Sequence, residues 1–179
     1  MARPTTKRRL RDINPDDFGR EVAERVKTHV TDLFLDRKDK TASRLFEHRL
    51  LTVEKEATIV AQYAQGGALD LNRACDVLFA VCARLYSNAG KAFNFDALEK
   101  LDIFPSDNIR VVLLAARARI RLGHREAVPV RELACLAGID PDHARVLLRQ
   151  GQMTLITGGV VAPDVAAKWL ATRGVSLSS

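Results

Sequence analysis

The sequence predicts a mainly α protein: an N-terminal bundle of helices, then a smaller C-terminal unit of helices with one short β-hairpin. Three observations predict it. Hydrophobic residues make up 47% of the 179 residues and charged residues 28%, the composition of a folded globular chain. Aromatics reach only 6%, while Ala, Leu, Val and Arg abound; Ala, Leu and Arg lose little side-chain freedom in a helix. Apolar residues recur every three or four positions in several segments, whereas alternation of period two is confined to one stretch around Gly158-Gly159.

The elements follow in order. Residues 1–13 read as a flexible basic arm, with Arg3, Lys7, Arg8, Arg9 and Arg11 against Asp12. Asn14-Pro15-Asp16-Asp17 opens a first helix: Asn14 can cap it, Pro15 suits the first helical position, and two acids suit the positive end of the dipole. Phe18, Val22, Val26, Val30 and Leu33 form its apolar stripe. A second helix is expected over about 42–65, stopped by Gly66-Gly67, and a third over about 70–87. The third carries Leu71, Val77, Leu78, Phe79, Val81 and Leu85 around much of its circumference, so it is expected at the centre of the bundle. A short helix is expected near Phe95–Leu101.

Ser106-Asp107 then caps a strong helix from Asn108 to Leu122, ended by Gly123. Ile109, Val112, Leu113, Ala116 and Ile120 share one face; Arg110, Arg117 and Arg121 form a row on another, expected to face outward as a phosphate track or a solvated face. Glu126 to Pro129 reads as a linker.

Residues 130–150 carry the most informative pattern. Two short helices that meet at a sharp corner need a small residue where they touch, supplied by Ala134, and a residue tolerant of positive φ at the turn, supplied by Gly138. Ile139 follows the turn, and Leu133, Ala137, Ala144 and Leu147 are placed to fill the corner. Asp140 caps the second helix and Pro141 starts it. Met153 to Val161 then read as two strands around a two-residue turn at Gly158-Gly159, and Pro163-Asp164 opens a last helix anchored by Trp169 and Leu170.

This succession resembles the winged helix-turn-helix of the excisionase and MerR-type family, on Arg131-Glu132-Leu133-Ala134, Leu136-Ala137-Gly138-Ile139, Arg149-Gln150-Gly151 and Trp169-Leu170. It covers about the last 45 residues; residues 1–129 resemble no family. The mainly α chain is thus expected to divide into an arm (1–13), a helical domain (14–125) that supplies a dimer surface, and, as the resemblance implies, a winged helix-turn-helix DNA-binding domain (126–175). The resemblance also implies that the second helix of the corner enters the major groove of double-stranded DNA. Asp142, His143, Arg145, Val146 and Arg149 would line its outer side, with Arg145 and Arg149 reaching bases or phosphates. Thr157, Gly158 and Gly159 would form the tip of the wing, and Arg8, Arg9, Arg117 and Arg121 would add phosphate contacts.

Charge tempers this reading. The chain carries a formal +6, concentrated in residues 1–13 and 106–129, whereas residues 130–151 are neutral and Asp140 and Asp142 stand at the start of the expected reading helix. A rival therefore stands beside the DNA-binding regulator or recombination accessory factor: an adaptor or inhibitor that docks on a nucleoprotein complex. No nucleophile elbow, paired-carboxylate pattern or kinase signature points to an enzyme. No cofactor or metal is expected: His29, His48 and His124 stand apart, and Cys75, Cys82 and Cys135 form no metal or disulfide pattern. With no membrane-length apolar run and no secretory signal, the expected setting is cytoplasmic, the expected state a homodimer.

Overall fold

The computed structural model describes residues 9–34, 40–86, 104–140, 155–156 and 159–177, together with Ala144, Val146 and Gln150. The protein is mainly helical with one small antiparallel sheet. A 3-10 turn (Leu10–Asp12) precedes α1 (Pro15–Phe34), α2 (Lys40–Ala64), α3 (Leu71–Tyr86) and α4 (Asp107–Gly123). β1 (Val128–Pro129) runs straight into α5 (Val130–Leu136); β2 (Leu155–Ile156), β3 (Val160–Val161) and α6 (Pro163–Thr172) follow.

The helix starts are set locally. Asn14 Oδ1 accepts from the Asp16 and Asp17 amides at 2.9 and 3.2 Å, which satisfies donors that α1 leaves open. Asp70 does the same for the Arg73 amide at 3.1 Å, and Ser106 Oγ for the Ile109 amide at 3.2 Å. Ser106 also donates to Glu21, and Asn108 Nδ2 donates to the other Glu21 oxygen at 3.0 Å. The start of α4 is thereby pinned to the side of α1, with a carboxylate at the positive end of its dipole.

α1 and α2 approach closely at Gly19. A Cβ there would overlap Thr58 Oγ1 and lie 2.7 Å from the Glu54 carbonyl oxygen. Glycine is required by that contact, not by its backbone angles. Phe18, Val22, Val53, Ala57, Val60, Val77, Val81, Ile109, Val112 and Leu113 are all buried in one cluster. Val128, Leu133, Leu136, Val161, Trp169 and Leu170 belong to the same cluster. The hydrophobic core therefore continues through the boundary expected at residue 125.

In the sheet β3 is central, paired antiparallel with β1 (Val128↔Val161, Pro129↔Val160) and with β2 (Leu155↔Val161, Ile156↔Val160). Pro129 has no amide to donate, and its place on an edge strand suits that.

Five local expectations are corrected. The arm does not stay free as far as residue 13: Leu10 and Ile13 are buried, and Gln65 Nε2 donates to their carbonyls at 2.9 and 2.6 Å. The linker 126–129 contains a strand, because Val128 and Pro129 find β3 far along the chain. α4 does end at Gly123, but the left-handed turn out of it falls on Arg125, at φ 58. Gly123 instead admits Leu71, whose Cδ1 lies 2.8 Å from where a Cβ would be. Phe79, expected in the core, is 61% exposed on α3. The hairpin closes with Ile156 opposite Val160, so three residues connect its strands instead of two. The short helix expected near Phe95–Leu101 lies outside the described residues.

Candidate nucleic-acid interface

The corner begins at α5. Leu133 and Ala134 are fully buried, as a close helix contact requires. The helix ends where Gly138 takes φ +66. The Gly138 amide donates to the Cys135 carbonyl and the Ile139 amide to the Ala134 carbonyl, both at 3.0 Å. This is the Schellman arrangement, in which a left-handed residue lets two amides return to the last turn. Ile139 packs against the core. Beyond the turn the Ala144 amide donates to the Asp140 carbonyl at 3.0 Å, and Ala144 and Val146 are helical. Ala144 is buried and Val146 is 43% exposed, as the corner geometry predicts. Val130 N–H meets the Gly159 carbonyl at 3.5 Å, so the start of α5 touches the hairpin turn.

Of the residues expected to touch DNA, Asp142, His143, Arg145, Arg149, Thr157, Gly158 and Arg8 lie outside the described residues. Arg9 is exposed beside the 3-10 turn, and Gly159 is exposed with φ +76.

Arg117 and Arg121 are placed differently from the outward row expected of them. Both turn toward Glu132 of α5, whose side chain has no solvent exposure. Arg117 Nη1 is 3.1 Å from Glu132 Oε1, and Arg121 Nε is 3.3 Å from Oε2. Arg121 also reaches Glu126 at 3.4 Å. The two arginines sit one turn apart on α4, so one carboxylate between the helices meets both. Removing a carboxylate from water is tolerable only with such partners. A phosphate track on this face would need these side chains free; here they hold α5 to α4. Arg119, on the same helix, is also buried, its guanidinium 5.4 Å from the Tyr63 ring centroid, and burial lowers its pKa.

Among the described residues of the C-terminal part, the exposed cations are others: Arg125, Lys168 and Arg173, the last stacked 5.1 Å over the Trp169 ring. Sequence reasoning did not single out Lys168 and Arg173, although the helical phase set by Trp169 and Leu170 puts Lys168 off the buried face. It also took Glu132 only as part of a resemblance. A signal was available: an acid flanked by Leu133 and Leu136, with two arginines four apart on the preceding helix.

One surface pocket in the bundle is acidic. A cavity of about 490 Å³ on the α1–α2 face is lined by Asp17, Glu21, Glu24 and Glu54 with Arg20, a poor surface for a polyanion. No group of three His, Cys, Asp or Glu side chains that could hold a metal occurs among the described residues, and no helix among them is long and apolar enough to cross a membrane. No protein-family model, curated protein or solved structure matches this chain.

Proposed function

We propose that the protein binds double-stranded DNA as a regulator or recombination accessory factor, acting as a homodimer and not as an enzyme. The helical segment that starts near Asp140 would read the major groove and the β2–β3 turn would lie beside it as a wing. The observation that carries this reading is the corner itself: buried Ala134, left-handed Gly138 and core-packed Ile139, followed by helical residues that bury Ala144 and expose Val146. Further support comes from element order. A helix, an edge strand, the corner and a hairpin whose second strand is central make the arrangement expected of a winged module. The basic segment Arg9–Arg11, exposed at both arginines, supplies charge for phosphate contact.

A second reading, a protein adaptor, is favoured by one observation: Glu132 takes Arg117 and Arg121 out of the exposed positive surface. Selection from a random duplex pool separates the two. An enriched half-site, lost in the Arg145→Ala/Arg149→Ala variant while the helical signal stays unchanged, supports DNA reading. Weak binding to every sequence with steep salt dependence indicates non-specific contact through the arm. No duplex retained, with a stable protein partner captured, supports the adaptor.

A further inference from the structure

One cluster of reactive and titratable groups plays no part in the corner. It lies where the end of α2, the first turns of α3 and the end of α4 meet. Cys75 Sγ on α3 is 3.7 Å from Nε2 of His124, the residue that caps α4. Tyr63, an electrostatic neighbour of Cys75, carries the buried Arg119 stacked on its ring. Cys75 is part-exposed, whereas Cys82 and Cys135 are buried. Burial raises the Cys75 pKa, and Asp76, Glu126 and Asp70 add to that. The thiol therefore keeps its proton at neutral pH unless a neighbour accepts it, and His124 is the neighbour.

We propose that Cys75 is a modification site that forms mixed disulfides with small, positively charged aminothiols, with His124 accepting its proton. In the tautomer protonated on Nδ1, His124 Nε2 takes the proton from Cys75 Sγ. The sulfur then attacks one sulfur of the aminothiol disulfide, a new S–S bond forms and the old one breaks. The leaving sulfur departs with the bonding pair as a thiolate and takes the proton back from the imidazolium. Cys75 is oxidised and the departing half is reduced, so the aminothiol disulfide is the only oxidant needed. The selectivity comes from Asp70 at the start of α3, Asp76 beside Cys75 and Glu126 two residues past His124, set against Arg125 and the Arg121 that meets Glu126; these acids attract a cationic disulfide and repel an anionic one such as oxidised glutathione.

The position gives the modification a consequence. One turn before Cys75, Leu71 fills the space left by Gly123, so the seam between α3 and α4 has little room to spare. His124 is followed by the left-handed Arg125 and by Glu126, which meets Arg121, which meets Glu132. An adduct that displaces the His124 ring acts on the turn that seats the C-terminal unit. That last consequence rests on the DNA-binding reading; the thiol chemistry does not.

The test treats the full-length chain with cystamine (cationic), hydroxyethyl disulfide (neutral) and dithiodiglycolate (anionic), and maps adducts by mass. The expected result is a single early adduct at Cys75, fastest with cystamine, a preference that narrows in high salt, and a several-fold slower reaction in His124→Asn. Earlier labelling of Cys82 or Cys135, equal rates with the three disulfides, or an unchanged rate in His124→Asn would overturn the proposal. The Cys75→Ser variant, which keeps the size of the side chain, should show no early adduct; an early adduct elsewhere in it that matches the parent rate would also overturn it. The cystamine-modified chain then enters the duplex selection. If the unmodified chain enriches no sequence, the DNA reading fails while the site stands.

Discussion

Two regions of the molecule handle charge in opposite ways. Along α1 ion pairs stay at the surface: Arg20 with Asp17, and Lys27 with Glu24 at 3.5 Å, each partner at least half exposed. α1 and α2 are held by shape, with Gly19 letting the backbones close. At the α4–α5 seam the charge is inside, with Glu132 completely covered and the side chains of Arg117 and Arg121 only 14% and 23% exposed. Surface pairs are screened and contribute little, whereas a buried carboxylate that loses its partners keeps its full desolvation penalty. The comparison teaches that the C-terminal unit is fixed to the bundle by a directional contact that also consumes cations a DNA-binding surface could use.

The largest effect is expected at that seam. Glu132→Ala leaves Arg117 and Arg121 without their shared carboxylate and should destabilise the fold by about 3–5 kcal/mol. Urea unfolding measures it; a loss under about 1 kcal/mol would mean that solvent reaches the seam freely. Next comes the close helix contact. Gly19→Ala puts a methyl group against Thr58 and the Glu54 carbonyl and should cost about 1–3 kcal/mol, because helix backbones cannot yield as a side-chain tip can. An unchanged midpoint would show that α1 and α2 stand farther apart.

A smaller and opposite change is expected at the turn out of α4. Arg125 holds φ 58, which L-residues adopt at a cost, so Arg125→Gly should stabilise by up to about 1 kcal/mol. A destabilised variant would mean that the Arg125 side chain makes a contact worth more than the strain. The smallest effect belongs to the exposed pairs: Lys27→Ala should move stability by no more than about 0.5 kcal/mol at any salt concentration. A larger, salt-sensitive loss would erase the contrast between the two regions.

Much of this was legible because it is local. The starts at Asn14, Asp70 and Ser106, the stops at Gly66 and Gly138 and the anchors Trp169 and Leu170 each depend on residues within about a turn of one another. The corner at 130–139 was legible for the same reason. The outward arginine row was misread because helical phase says which side chains share a face, not what that face meets. Phe79 was misread in the same way: an apolar side chain on a crowded helix reads as core until the neighbouring elements are known.

By itself, then, the sequence determined the helical class, the capped ends of the helices, and the small–glycine–apolar pattern of the corner, since hydrogen-bonding groups a few residues apart must find each other in any fold. Only the tertiary structure decided that Val128-Pro129 is an edge strand, that Glu132 gathers Arg117 and Arg121, and that Cys75 lies beside His124. Those facts join residues 11 to 49 positions apart across separate elements. The burial and electrostatics that create them exist only once the elements have packed.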